Sequence, residues 1–483
     1  MADPSSSSRM ASASAGSFAG RHSAALKLAG IALLVLLLLI PLGKIGAVLA
    51  ERLARREAAV SEIVGAWGRE QAILGPVLAV PYRQRDKVRR EIAVGGKIEW
   101  REVEETRVHT AFFLPAALVV EGKVHPERLH RGIYEAVVYR AALAVSGRFD
   151  KPDFAALKIE PEDLLLSDAT VALGISDLRG AGETLRFVWG KEEVPFVPGS
   201  RLQGWTSGLH ARVGRRGLEN GAAFRFALEL RGSGALQFVP VGKQNEVKIA
   251  SEWPDPSFRG AFAPAERKVT PQGFEAIWKI PYYGRNFPQQ WTDTDPAGFE
   301  GGAVKGALFG VRFLPKLDAY RSVERAMKYG VLVFALVFVA FFIFETRAGL
   351  RVHAVQYLLV GAALCLFDLL LLAFTEFVRF GLAYLLAAGA STLLIAAYCA
   401  AVFRGARRAR GIAAILALTY GWLYVALTLQ DWALIFGSLG LFFALAAVMF
   451  LTRRMEGFAG ETRSRVVPPA PKGLRPAAKT VDV

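Results

Sequence analysis

The sequence predicts a membrane protein of mixed α and β structure, with six transmembrane helices and a large β-rich domain between the first helix and the second. Apolar residues make up 53% of the 483 residues and are concentrated in residues 28–50 and 328–451. Only these regions offer the roughly 18 to 20 apolar residues that a spanning helix needs. Residues 51–327 are mostly polar and contain short runs that alternate apolar and polar side chains, which is typical of strands.

The first predicted span, about 28–48, contains the run LAGIALLVLLLLI. It follows a leader of small and polar residues, 1–27, which we expect to be disordered and cytoplasmic. The segment AVLAE resembles a signal-peptide cleavage site at Val48 and Ala50. However, the apolar run continues through Leu49, and a helical pattern follows without a break. We therefore expect an uncleaved membrane anchor, with residues 28–50 as the first transmembrane helix.

The second apolar region, residues 328–451, is divided into five spans by short polar segments. At ~1.5 Å per residue, about 20 residues reach across the ~30 Å hydrocarbon layer. Residues 452–483 form a basic tail, which we expect to be disordered. The predicted spans lie at about 328–345, 355–375, 380–403, 411–429 and 432–451.

The distribution of Lys and Arg predicts the orientation of these spans, because basic residues collect in short cytoplasmic loops. The short outer loops contain only Arg379, whereas Arg52, Arg55 and Arg56 after the first span disagree with the pattern. We expect both termini in the cytoplasm and residues 51–327 on the outer side. The basic residues of the predicted inner segments are Arg9, Arg21, Lys27, Arg347, Arg351, Arg404, Arg407, Arg408, Arg410 and those of the tail.

The net charge of +16 divides into +3 for residues 1–50, +5 for residues 51–327 and +8 for residues 328–483. Most of the excess therefore lies beside the membrane, where basic groups meet anionic lipid. This distribution predicts the lipid bilayer as a partner and argues against nucleic acid.

The domain at residues 51–327 reads as strands between two helical ends. In FRFALEL, Phe224, Phe226 and Leu228 share one face, and YEAVVYRAALAVSG and EVKIAS alternate in a similar way. We expect two sheet-based halves that meet near VPFVPGSRLQGW. A helical stalk is predicted from residue 51 to Gly75 and Pro76, and a second in KLDAYRSVERAMKYG. Both cysteines lie in predicted spans, so the domain must be held by an apolar core.

Several blocks of the chain occur in an order that resembles the CreD family of bacterial inner-membrane proteins. The blocks are EIVGAWGREQAILGPVLAVPY, HPERLHRGIYEAVVYRAALAVSGRF, VALGISDLRG, SEWPDPSFRGAF, GFEAIWKI, YRSVERAMKYGVLVFALVFVAFFIFE and HAVQYLLVGAALCLFDLLLLAFTEFVRFGLAYL. The resemblance covers about residues 28–451. It implies a multi-pass protein of the bacterial inner membrane with a periplasmic domain. It also implies a role in cell-envelope integrity and in the response to envelope stress, including tolerance of colicins and β-lactams, and no particular reaction.

The sequence lacks the motifs G-x-S-x-G, G-x-x-x-x-G-K-[ST] and H-E-x-x-H, which mark nucleophile, phosphate and zinc sites. His125 and His130 form the only close histidine pair, and their spacing fits an ordinary turn better than a metal site. We expect no catalytic residue, no cofactor and no metal. An enzyme with a site hidden in the periplasmic domain stays open as a further class.

Two stretches of the domain are candidates for partner binding. Arg131 and Tyr134 in RGIYEAVVYR belong either to a strand with cross-strand ion pairs or to a recognition surface. In SEWPDPSFRG, two prolines argue against regular pairing and predict a stiff turn, so Trp253 and Phe258 either pack beneath the loop or bind a partner together with Arg259. The expected partner is an unidentified periplasmic or envelope protein or glycan, and homo-oligomerisation is left open.

Asp368 lies near the centre of the span 355–375, where an ionised Asp costs about 2.5–3.5 kcal/mol. It should face other helices, and a packing hydrogen bond is the preferred interpretation. Glu345 and Glu376 are predicted to lie at the membrane interface. We thus expect a non-enzymatic envelope-integrity protein; the alternative is a transporter or lipid-handling protein that uses Asp368. The candidate donors to Asp368 are Thr392, Tyr398, Tyr420 and Thr428.

Overall fold

The chain divides into two units, one of Met1–Leu49 with Ala319–Val483 and one of Ala50–Asp318. The first unit contains apolar helices, and the second contains the strands. The computed structural model describes residues 23–94, 97–182, 185–202, 204–215, 217–295, 301–313, 319–348, 352–403, 406–429 and 433–452.

Six apolar helices confirm the predicted fold class. The first, α1, is one continuous helix of 45 residues that includes both the predicted span and most of the predicted stalk. Five helices, α1 and α3 to α6, are long and apolar enough to cross a membrane, and α7 has 20 residues without a charged side chain. The helices of the described chain are α1 (Ser23–Trp67), α2 (Gly301–Gly306), α3 (Ala319–Ala348), α4 (Ala354–Thr375), α5 (Phe380–Val402), α6 (Ala406–Thr428) and α7 (Ala433–Thr452).

Glycine allows close packing of the helices in the membrane unit. A Cβ atom on Gly361 of α4 would lie 2.1 Å from Leu38 of α1 and 3.0 Å from Phe338 of α3. On α7, a Cβ atom on Gly440 would lie 2.0 Å from Trp422 of α6. Small residues at helix contacts are a common basis of packing in lipid, where burying apolar area gives little advantage.

The β-rich domain contains two sheets. The 9-stranded sheet A has the order β13, β17, β11, β1, β5, β9, β8, with β2 paired to β1 and β16 paired to β2. Its strands are β1 (Gln71–Val94), β2 (Lys97–Phe113), β5 (Thr170–Ile175), β8 (Val197–Pro198), β9 (Gly208–Arg212), β11 (Ala235–Phe238), β13 (Pro256–Gly260), β16 (Gln290–Thr292) and β17 (Phe309–Phe313).

The 8-stranded sheet B has the order β14, β15, β12, β3, β4, β10, β6, β7. The strand predictions for residues 134–147, 224–230 and 246–251 are confirmed here, since β10 alternates buried and exposed residues from Ala222 to Glu229. The strands of sheet B are β3 (Ala117–Arg131), β4 (Tyr134–Phe149), β6 (Arg186–Trp189), β7 (Glu192–Pro195), β10 (Ala222–Ser233), β12 (Gln244–Ser251), β14 (Glu266–Thr270) and β15 (Gly273–Pro281).

The inner faces of the two sheets share one aromatic core. Trp278 on sheet B is fully buried, and its ring centroid lies 5.7 Å from that of Phe309 on sheet A. Tyr139 on sheet B lies 5.1 Å from Phe313 on sheet A. Burial raises the pKa of the Tyr139 hydroxyl, which donates a hydrogen bond of 2.7 Å to the carbonyl of Ala235.

Three expectations about the domain are wrong. Its sheets are not two sequential halves that meet near residue 200, because β1 pairs with β11 and β12 pairs with β3 across that point. The predicted stalk helix ends at Trp67 and not at Gly75. Ile73 belongs to strand β1, which is buried on both faces around Ile73, so its apolar run resembles the apolar stripe of a helix in the sequence. Pro256 does not prevent pairing, because it begins the edge strand β13, where a missing donor is tolerated.

Candidate functional site

The β3 to β4 hairpin and the segment 252–259, both selected from the sequence, adjoin in the folded domain. The Arg128 guanidinium lies over the Trp253 ring, 5.8 Å from its centroid. His125 Nδ1 lies 3.9 Å from Glu252 Oε1. We call this surface the hairpin-loop face, and it comprises His125, Arg128, Arg131, Tyr134, Glu252 and Trp253.

Trp253 and Phe258 both pack against the core of the domain, which is one of the two alternatives that the sequence left open. Trp253 is only 6% exposed, and its Nε1 donates a hydrogen bond of 3.0 Å to the carbonyl of Asp255. The Phe258 ring makes edge contacts with Phe274 at 5.7 Å and Trp278 at 5.8 Å. Both rings therefore support the core and present little surface to a partner.

Arg259, Arg131 and Tyr134 are more accessible. Arg259 is exposed on β13 and donates from Nε to the Ser257 hydroxyl at 3.3 Å. Arg131 is exposed at the end of β3, and its Nη2 lies 2.7 Å from Glu62 Oε2 of α1. Among the described residues, no hydrogen bond or ion pair joins Arg259 to Arg131 or to Tyr134, which is half-buried. The structure thus places Arg131 and Tyr134 together and Arg259 on another strand.

An open groove of about 500 Å³ borders the hairpin-loop face on sheet B. Its rim carries the exposed side chains of Lys123, His125, Glu252 and Lys268. The groove is therefore a shallow depression of the surface that carries charges of both signs.

A second cluster fixes the end of α1 to the strands of its own unit. The Trp67 ring lies between the guanidinium groups of Arg140 and Arg231, at 5.2 and 5.3 Å from its centroid. These arginines are direct cross-strand partners on β4 and β10. Such cation–π contacts contribute about 0.5–1 kcal/mol each at exposed sites, and the Trp67 Nε1 also donates to the Tyr139 carbonyl at 3.3 Å.

Asp177 and Arg179 complete this cluster. Arg179 donates from Nε and Nη2 to the two carboxylate oxygens of Asp177 at 2.9 and 2.8 Å. Its Nη1 caps the Gly65 carbonyl of α1 at 3.0 Å, a favourable use of a cation at a helix C-terminus. The buried Gln71 donates to the carbonyl of Asp177 at 3.0 Å. Three blocks of the sequence, around residues 67, 140 and 177, thus meet at one place.

We predict that ionisation of Asp177 makes the free energy of unfolding depend on pH. The hydrogen bond from Arg179 lowers the pKa of Asp177 from 3.8 to about 2. A lowered pKa stabilises the fold above pH 3.8, and this contribution is lost as the pH falls through about 2. The shift corresponds to about 2 kcal/mol. Denaturation of the full-length protein in detergent should show Asp177→Asn to be less stable near pH 6, with the difference from the parent shrinking toward pH 2. A difference that is independent of pH would contradict this assignment.

Asp368 of α4 is 2% exposed. Its Oδ1 has no hydrogen-bond partner among the described residues. A Cβ atom on Gly330 of α3 would lie 3.6 Å from its Oδ2, and Leu42 of α1 borders the same space. Two of the four expected donors engage other groups, because the Tyr420 hydroxyl pairs with Ser391 at 3.1 Å and Thr428 bonds to carbonyls of its own helix. The hydrogen bond expected for Asp368 is therefore not found at Oδ1 among the described residues.

Glu345 of α3 is buried against other helices of its unit, and its depth at the membrane interface stays a prediction. It is 3% exposed and accepts hydrogen bonds from the Lys27 ammonium, the Val352 amide at 2.8 Å and the Tyr357 hydroxyl at 3.0 Å. This carboxylate joins α1, α3 and the start of α4. A basic residue directly before the first span, with an acid at the end of the second, was the signal that could have revealed the pair.

The described residues contain no group of three or more His, Cys, Asp or Glu side chains that could hold a metal. His125 and His130 do not lie in a turn, because both belong to β3. His130 Nε2 lies 3.5 Å from Glu135 Oε2, a cross-strand contact that the pairing of β3 with β4 produces directly.

Comparison with known proteins identifies the family. The family model described as "Inner membrane protein CreD" matches residues 23–457. The chain is 32% identical to the inner membrane protein CreD of Escherichia coli (strain K12) over 426 residues, which cover 88% of this chain and 92% of that protein. Together with six apolar helices and a β-rich domain between the first and the second, these matches mean that the chain is a multi-pass inner-membrane protein and belongs to the CreD family.

Proposed function

We propose that this protein supports cell-envelope integrity and the envelope stress response without catalysing a reaction. In this proposal both termini lie in the cytoplasm, the β-rich domain lies in the periplasm, and the domain binds an envelope protein or glycan. The observation that carries the proposal is the exposed hairpin-loop face and the groove beside it. The groove is open and rimmed by charges, as is common for a surface that recognises a polar partner.

The chemistry of the groove favours binding. The small side chain of Ala250 lines the groove. Lys123 and Lys268 offer two cations, and Glu252, whose Oε1 lies 3.9 Å from His125 Nδ1, adds a carboxylate at one end. Arg131 and Tyr134 are residue types favoured at binding hot spots and lie on the adjoining hairpin.

A photo-crosslinking amino acid at Gln272, which is exposed and lines the groove, should capture the partner in intact cells. The same amino acid at Arg225, exposed on β10, serves as the control and should capture much less. Lys123→Glu combined with Lys268→Glu should weaken the capture and impair growth under envelope stress, whereas Arg225→Glu should not. Normal growth of the double variant at normal protein abundance would argue against the proposal.

The proposed orientation has a separate test. The native cysteines, Cys365 and Cys399, are buried, so a single Gln272→Cys should dominate thiol labelling. A membrane-impermeant maleimide should label it in intact cells once the outer membrane is permeabilised. A reporter fused after Val483 should be active only in the cytoplasm. Labelling that requires rupture of the inner membrane would reverse the assigned topology.

The Asp368 carboxylate, whose Oδ1 has no hydrogen-bond partner among the described residues, favours a second candidate function, a proton or ion site in a transporter. Buried polar atoms in native proteins are nearly always hydrogen-bonded, and an acid held without a partner inside membrane helices is a candidate functional group. Leu42 and Gly330 border the carboxylate on one side, and no described residue gives Oδ1 a hydrogen bond.

Asp368→Leu separates the envelope-binding function from the transporter function. Leucine has as many non-hydrogen side-chain atoms as aspartate and requires no hydrogen bond. The substitution should raise the thermal stability of the protein in detergent by about 1–3 kcal/mol, the usual cost of an unsatisfied buried group. If the carboxylate has no functional role, growth under envelope stress should remain normal. Greater stability with loss of function, shared by Asp368→Asn, would establish the transporter candidate.

A further inference from the structure

Strands β1 and β2 extend well beyond the sheet to which they belong. Their pairing runs from Leu78 with Phe113 to Val94 with Lys97. On the outer side of β1, regular pairing with β5 ends at Ala79, and on the outer side of β2, pairing with β16 covers only residues 111–113. Within the described chain, residues 83–94 and 97–108 therefore pair only with each other. We call this part the ribbon; its 12 residue pairs give it a length of roughly 40 Å.

The side chains that the structure describes on the ribbon are mostly exposed, on both faces. Arg83, Gln84 and Arg85 are consecutive and all exposed, as are Thr106 and Arg107. Since successive strand residues point to opposite faces, no layer of the described domain covers either side. Trp100 is also 66% exposed. A lone two-stranded hairpin is marginally stable in water, and its outer edges present backbone groups ready for another strand.

The two strands of the ribbon differ in charge. By sequence, residues 83–94 contain five basic and two acidic residues, and residues 97–108 contain three basic and four acidic residues, so the two strands have net charges of +3 and −1. The direct cross-strand partners Arg89 and Glu102 are both exposed, and Arg89 Nε lies 3.6 Å from Glu102 Oε1. Edge strands are often protected by charge, and here the opposite net charges of the two strands favour contact between unlike strands.

We propose that the ribbon is a self-association surface, in which the β2 edge of one copy pairs with the β1 edge of a second copy. Two ribbons that lie side by side and point the same way bring β2 against a β1 strand of opposite direction, which is an antiparallel pairing. Pairing of β1 with β1 would instead bring two strands of net positive charge together, which is less favourable. The contact joins two different edges, so it builds a closed ring or an open chain of copies.

Cysteine cross-linking in native membranes tests the arrangement of copies. Full-length Gln84→Cys and Thr106→Cys proteins carry different affinity tags and are expressed together, so a cross-link that joins the tags must lie between copies. A short bismaleimide should join position 84 to position 106, or to its neighbours 104 and 105. Pairs of 84 with 84, and of 106 with 106, should give at least tenfold less product. Equal yields for like and unlike pairs, or cross-links only to other proteins, would overturn the proposal.

Charge exchange tests the basis of recognition. Arg89 and Glu102 are direct cross-strand partners, so Arg89→Glu or Glu102→Lys alone sets like charges against each other and should lower the 84 to 106 product about fivefold. Both substitutions in one chain restore opposite signs and should return the product to within about twofold of the parent. Arg225→Glu is the matched control and should leave the yield unchanged. Failure of the combined variant to recover, at normal abundance and thermal stability, would show that charge pairing between ribbons is not what joins the copies.

Discussion

Replacing Glu345 with alanine is expected to destabilise the helices of the membrane unit by about 1–3 kcal/mol, the usual cost of leaving buried hydrogen-bonding groups without a partner. The substitution leaves the Lys27 ammonium, the Val352 amide and the Tyr357 hydroxyl without their common acceptor. Lys27 is about one-third exposed and can reach water, so most of the loss comes from the Val352 amide and the Tyr357 hydroxyl. Thermal unfolding of the full-length protein in nanodiscs, followed by circular dichroism, would measure the loss.

Two further variants test how much the contacts of Glu345 contribute to stability. Glu345→Gln keeps an acceptor for Tyr357 but removes the charge that faces Lys27, so its effect should be intermediate. Glu324→Gln on the same helix breaks an exposed pair with Lys328, whose Nζ lies 2.8 Å from Glu324 Oε1. Exposed pairs contribute about 0–1 kcal/mol, so this control should melt close to the parent. If Glu345→Ala unfolded at the same temperature as Glu324→Gln, the contacts of Glu345 with Lys27, Val352 and Tyr357 would make no net contribution to stability.

Replacing Trp278 with alanine is expected to destabilise the β-rich domain by about 3–5 kcal/mol. The indole is fully buried, contacts Phe258 and Phe309 and donates a hydrogen bond of 3.2 Å from Nε1 to the Phe262 carbonyl. Removal leaves a large cavity between the sheets. Limited proteolysis of the full-length protein over a urea series would report the lower stability as earlier cleavage within residues 71–313.

The control for this experiment is Trp100→Ala, which removes an exposed indole from the ribbon. Exposed substitutions usually change stability by less than about 0.5 kcal/mol, so the cleavage profile of the domain core should stay as in the parent. Equal sensitivity of the two variants would mean that Trp278 is not part of the packed core.

The long apolar helices and the alternating strands were predictable because each depends on a local pattern. Twenty apolar residues in succession, or the alternation around Phe224 and Phe226, require no knowledge of distant residues. The errors arose where neighbours far apart in sequence decide the structure. The run that contains Ile73 is apolar because strands flank β1 on both sides, and that property is invisible until the sheet is assembled.

The candidate sites divide in the same way. Asp368 could be identified from the sequence because a single carboxylate in an apolar run is recognised without knowledge of distant residues. The sequence did not identify the partner of Glu345, because Lys27 is 318 residues away. The proximity of Arg128 to Trp253, which defines the hairpin-loop face, likewise depends on the parallel pairing of β3 with β12.

The interleaved order of the two sheets has a consequence for how the domain is made. Strand β1 near residue 71 completes its pairing only when β11 near residue 236 is present, and β11 in turn needs β17 near residue 311. A nascent chain therefore has no finished sheet A until almost the whole segment has been synthesised. Contacts between such distant residues form slowly, so the growing polypeptide passes through a long interval with unpaired strands, when chaperones and proteases compete for it.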